Sequence, residues 1–190
     1  MNASNARTHL LTRTALTLAT VAALALGSRA AAAQSLTTFG VAGGAAIPVG
    51  SYTNGLNTGY NVSVSLGMAS RISPVGFRAE AMYNQEGWQG YQGITHRVVA
   101  GTANLTYDLS GMSAGPAGGL YLIGGAGIYG SYDRGGFMDG SPTSTNAGLN
   151  GGAGWRLPLT DFNVYVEARY HYILGGNGEQ LIPITVGVTF

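Results

Sequence analysis

The residues able to carry out chemistry are few and scattered. The 190-residue chain holds 3 histidines and 8 carboxylates, and its 9 basic residues are all arginine. With no cysteine, disulfide frameworks and thiolate metal centres are excluded. Gly125-Ala126-Gly127-Ile128-Tyr129-Gly130 has the G-x-G-x-x-G spacing, but that spacing holds a dinucleotide only at a strand-to-helix turn of a βαβ unit. Asn61-Val62-Ser63 and Asn104-Leu105-Thr106 match glycosylation acceptors, yet both fall inside expected strands rather than in surface loops. Asp133 and Asp139 flank a Gly-rich stretch whose oxygens could ligate calcium, although a solvated loop is the plainer reading. His96 and His171 read as hydrogen-bonded polar side chains. No catalytic, cofactor-binding or metal-binding residue is expected, and no cofactor.

The composition narrows the setting. Charged residues make up 9% of the chain, against roughly 25% in soluble domains. A hydrophobic fraction of 45% is too high for disorder, and a net charge of +1 argues against a nucleic-acid partner. The N-terminus carries Arg7 and Arg13 without an acid, then an apolar run from Ala15 to Gly27, then small residues up to Ala33. That order is a secretory signal peptide, and the run is too short to span a bilayer. The expected organisation is a signal peptide over 1–33, cleaved after Ala33, and one domain over 34–190. Removing Arg7, Arg13 and Arg29 leaves 6 Arg against 8 acids, a net charge of 6 − 8 = −2.

From Gln34 onward the dominant pattern is period two, the signature of two-faced strands. Val62, Val64, Leu66 and Met68 alternate with Asn61, Ser63, Ser65 and Gly67. Phe77, Ala79, Ala81 and Tyr83 alternate with Arg78, Glu80 and Met82; Val164, Val166, Ala168, Tyr170 and Tyr172 with Tyr165, Glu167, Arg169 and His171; and Ile182, Ile184, Val186 and Val188 with Pro183, Thr185 and Gly187. Eight strands are expected, over 36–47, 60–69, 75–84, 96–108, 118–130, 146–157, 162–174 and 181–190. Four long loops would then lie at one end and three shorter turns at the other, in an up-and-down meander. Only the strand over 118–130 has a facing that the pattern leaves open, with Tyr121 and Ile123 hinting at an apolar lumen. The Gly-Gly pairs read as small residues on a crowded, curved wall.

The polar face is too sparsely charged to form the outside of a soluble barrel, and its arginines would be costly in lipid. The apolar face is therefore expected outward. Arg78, Glu80, Arg156, Glu167 and Arg169 form an expected lumen charge cluster whose pairing the sequence leaves open. Tyr60, Tyr83, Tyr129, Tyr132, Tyr170 and Tyr172 would form one aromatic girdle, and Phe77, Tyr107, Trp155, Phe162 and Phe190 the other. Val186→Arg, in lipid, is expected to cost more than Thr185→Arg, in a polar lumen.

The fold class is thus all-β: an eight-stranded antiparallel transmembrane barrel. The signal peptide, the meander and the terminal Ile184-Thr185-Val186-Gly187-Val188-Thr189-Phe190 resemble the small outer-membrane β-barrels of Gram-negative bacteria, the OmpA/OmpX-like and opacity-protein-like porin family. The resemblance implies outer-membrane lipid, periplasmic chaperones and the barrel-assembly machinery as partners, with Phe190 as assembly signal, in a monomeric protein. Barrel lipid A deacylases of that membrane use a His-x-Ser pair; here His171-Tyr172-Ile173 lacks the nucleophile. The expected function is structural or surface interaction with a side-chain-filled polar lumen, with a narrow channel for small or hydrophobic solutes as the alternative and a lipid-modifying enzyme as the second.

Overall fold

The computed structural model describes residues 35–51, 55–70, 73–91, 93–109, 119–134, 144–175 and 178–190. The expected signal peptide and Asp139 lie outside them. Eight strands, β1 (Ser35–Val49), β2 (Gly59–Ser70), β3 (Val75–Gly87), β4 (Thr95–Asp108), β5 (Gly119–Arg134), β6 (Ser144–Pro158), β7 (Asn163–Ile173) and β8 (Gln180–Thr189), pair in chain order and close into a barrel. Every pairing is antiparallel, and closure runs from Gly40↔Thr189 to Val49↔Gln180. Phe39 and Phe190 exchange backbone hydrogen bonds of 3.0 and 2.8 Å, so both ends of the barrel chain lie at one rim, here the inner end. Closure satisfies backbone groups that an open edge would leave bare in lipid.

The alternation sorts as expected. Val64, Leu66, Val166, Ile184 and Val186 are exposed outward, while Ser65, Arg78, Glu80, Glu167 and Thr185 are buried inside. So many exposed apolar side chains would be anomalous in water and are the ordinary outer surface of a membrane barrel. β5 resolves too: Tyr121, Ile123, Tyr129 and Ser131 are buried, and Leu120, Leu122 and Ile128 face out. In the pairs at 43–44, 124–125 and 151–152, the inward member is the crowded one. A Cβ on Gly44 would overlap the Ile184 carbonyl, and one on Gly152 the Ala168 carbonyl, whereas outward Gly43 and Gly151 have nothing nearer than 3.6 and 3.9 Å.

Two expectations are corrected. Tyr129 belongs to no girdle: it is fully buried in the lumen, because its odd-numbered register on β5 points inward. Connection length does not distinguish the two ends either. The inner connection over 109–118 is longer than the outer ones over 88–94 and 174–179. β3 runs to Gly87 and β5 to Arg134, beyond the alternating residues, because a backbone ladder needs no amphipathic pattern to continue past the apolar belt.

Candidate functional site in the barrel lumen

The inward residues of β3, read from the inner end, are Arg78, Glu80, Met82, Asn84 and Glu86. Each marks a level of the lumen, and the levels differ in chemistry. Lowest is a cavity of about 60 Å³ lined by Thr38, Ser65, Tyr121, Arg156, Asn163 and Tyr165, with Arg78 at its edge.

The next level is a ring of four charges. Arg78 Nη2 donates to both carboxylate oxygens of Glu167 at 2.6 Å. Arg169 Nε lies 2.8 Å from Glu167, Arg169 Nη2 donates to Glu80, and Arg78 Nε lies 3.7 Å from Glu80. Two guanidinium groups thus alternate with two carboxylates, all buried, and the charges sum to zero. The Tyr121 hydroxyl donates to Glu167 at 2.6 Å, and the Arg78 guanidinium sits 5.8 Å from the Tyr165 ring centre. Low dielectric makes each of these contacts stronger than in water and makes any unpaired member costly. Four of the five charges expected to cluster are here. Arg156 is not: it lines the cavity below, pairs with Asp108 at 3.8 Å and stacks 4.8 Å over the Tyr121 ring. Its place on β6, opposite Gly119 and Tyr165, leaves it nearer the inner rim.

Above the ring, the Tyr129 hydroxyl and His171 Nδ1 are 2.9 Å apart, and Met82, Val98, Ala100, Tyr129, Ile173 and Leu181 pack as an apolar cluster. Charged side chains thus lie below an apolar layer. Asn61 and Asn104, the two glycosylation matches, are buried in this interior, and Gly125–Gly130 lies wholly within β5, so neither the acceptor nor the dinucleotide pattern has its required setting.

The outer end holds a cluster that the spacing of residues did not disclose. His96 Nδ1 lies 2.8 Å from Asp133 and its Nε2 lies 2.8 Å from Glu179. Trp88 Nε1 donates to Asp133 at 3.1 Å and Ser131 Oγ to Glu179 at 2.8 Å. Asp133 is therefore engaged by protein donors, and no metal-holding group of His, Asp or Glu occurs among the described residues. The signal available in the sequence was the isolated His96 itself; Asp133 faces it across the β4–β5 ladder, while Glu179 comes from the segment before β8. Phe190 is exposed at the inner rim, its ring centre 6.1 Å from that of Phe162.

A family model described as the outer membrane protein beta-barrel domain matches residues 18–190. No curated protein matches the sequence. Among solved structures, Neisserial surface protein A (NspA) is similar at 15% identity and a TM-score of 0.56, covering 82% of this chain and 97% of that one. Ail of Yersinia pestis, in its complex with sucrose octasulfate, is similar at 14% identity and a TM-score of 0.49, covering 83% and 98%. The N-terminal barrel of Pseudomonas aeruginosa OprF gives 14% identity and a TM-score of 0.46, over 83% and 100%. At such identities the likeness speaks for the fold alone, and the first of the three carries it.

Proposed function

We propose that this chain, which belongs to the outer membrane protein β-barrel family, serves the outer membrane as a structural or surface-interaction barrel with a closed lumen. The observation that carries this reading is the ring of Arg78, Glu80, Glu167 and Arg169. Eight strands leave room for side chains and little else, and a neutral, mutually paired ring has no reason to separate for a passing ion. The apolar cluster above it adds a desolvation barrier to any hydrated solute. Refolded protein in a planar bilayer should show almost no conductance, and Glu80→Gln should make it leakier by leaving two arginines against one carboxylate. A wild-type barrel that conducts freely, unchanged by Glu80→Gln, would replace this reading with the channel. An enzymatic role has little support: His171 is fully buried against Tyr129, out of reach of a lipid ester.

The protein's partners, on this proposal, are outer-membrane lipid along its apolar wall, and the periplasmic chaperones and assembly machinery that would read the strand ending in Phe190. It acts as a monomer and binds no nucleic acid. Export removes residues 1–33, so the intact mass of membrane-extracted protein should correspond to a chain starting at Gln34 or within a few residues of it. An intact mass that includes Met1 would refute the processing step.

A further inference from the structure

The cluster at the outer end ties together segments that are remote in sequence. His96 begins β4, Asp133 and Ser131 end β5, Glu179 precedes β8, and Trp88 opens the connection between β3 and β4. His96 and Asp133 already face each other in the β4–β5 ladder, so the link the imidazole adds runs through Nε2, from that ladder to Glu179 beside β8. Asp133 Oδ1 also accepts from Trp88, and Glu179 accepts from Ser131, so both carboxylates act as acceptors. Two contacts of 2.8 Å to acceptors are both hydrogen bonds only when both nitrogens carry a proton. The ring is then an imidazolium between two carboxylates, a charge-assisted pair on each side. A third carboxylate, Glu86 on β3, is buried with one oxygen lacking any hydrogen-bond partner in the structure. Without the imidazolium, three carboxylates from three segments would face one another with no positive charge among them.

We infer that His96 is a proton-operated latch on the outer mouth: doubly protonated, it holds the outer end of the β4–β5 ladder to the segment before β8, and on losing a proton it releases that segment and loosens the ladder end. Glu86, Asp133 and Glu179 are the titratable groups that face it from β3, from β5 and from the segment before β8; Arg97 and Arg134 follow His96 and Asp133 in the chain, and neither forms an ion pair in the cluster. Since His96 supplies the cation, its contribution is complete when the ring is protonated and is lost as pH rises.

Two readouts are built into the chain. Arg134 is exposed, pairs with Thr95 at the end of the β4–β5 ladder and adjoins Asp133, so faster cutting by trypsin there reports loosening of that end. Trp88 stands edge-on to His96 with ring centres 6.5 Å apart, and Trp155→Phe, on the outward face, leaves Trp88 as the sole tryptophan. In full-length refolded protein, cleavage at Arg134, scaled to that of unfolded chain, should rise about tenfold as pH is raised from neutral, the size expected from one charge-assisted hydrogen bond. Trp88 emission in the Trp155→Phe protein should titrate over the same range. His96→Gln should cut at the faster rate at every pH and should abolish the Trp88 titration. If His96→Gln fails to fold, Glu179→Gln, which keeps the imidazole and weakens one arm, should raise cutting at neutral pH. Cleavage and Trp88 emission that do not change with pH in the protein with native His96 would overturn the latch.

Discussion

Replacing Glu167 with Gln should destabilise the folded barrel by about 3–5 kcal/mol, the cost of removing one member of a buried ion pair. Glu167 accepts from Arg78 on both oxygens, from Arg169 Nε and from the Tyr121 hydroxyl. The amide keeps the shape but presents a donor at an oxygen position where two donors already point. It also leaves Arg78 and Arg169 to share Glu80, an uncompensated positive charge in a low-dielectric bore. Arg156→Gln is the control: its partner Asp108 is 3.8 Å away and its other contact is the Tyr121 ring at 4.8 Å, so its loss should cost about 1–2 kcal/mol. Removing Glu167 and Arg78 together, as Leu and Met, should cost less than Glu167→Gln alone, since a neutral Arg169–Glu80 pair remains. Urea titrations in lipid decide the matter, and equal costs for Glu167→Gln and Arg156→Gln would show that the four charges do not act as a unit.

Val186→Arg should cost about 2–4 kcal/mol, because Val186 lies in the middle of β8 on the outward face and a guanidinium there must enter hydrocarbon. Val188→Arg, two residues nearer the inner rim, should cost about 0–1 kcal/mol, as the penalty falls toward the interface. This gradient is the mark of lipid; equal penalties at the two positions would argue for an exterior in water. Thr185→Arg was expected to be the milder change, as a polar substitution into a polar lumen. The surroundings of Thr185 argue for the opposite ordering. Thr185 is buried, pairs across the sheet with Gly44 and Glu167, and its hydroxyl lies 3.5 Å from the Glu167 carbonyl. An arginine there adds volume to a filled section, at about 1–3 kcal/mol, and a third guanidinium beside a balanced ring. It should cost at least as much as Val186→Arg.

The residues that were readable share a physical reason. A strand places alternate side chains on opposite faces, and lipid outside with polar groups inside makes each face nearly uniform. Val62 to Met68, Phe77 to Tyr83 and Ile182 to Val188 therefore declare their facing without any knowledge of their neighbours. β5 is the exception that shows the rule. Glycine and alanine at 124–127 carry no polarity to read, and only the ladders to β4 and β6 turn Tyr121 and Tyr129 inward.

Taken alone, the sequence determined the number of strands, the outward surface and the presence of opposite charges inside, because all three depend on local alternation and on the transfer of side chains between lipid and a polar interior. Tertiary structure decided who meets whom. Arg78 and Glu167 are 89 residues apart and join only because the register around the closed barrel brings β3 and β7 face to face across the bore. The same closure leaves Arg156 near the inner rim and brings Glu179 to the His96–Asp133 ladder pair at the outer one. Pairing across a lumen depends on strand stagger and tilt, which are properties of the whole cylinder and are encoded in no single strand.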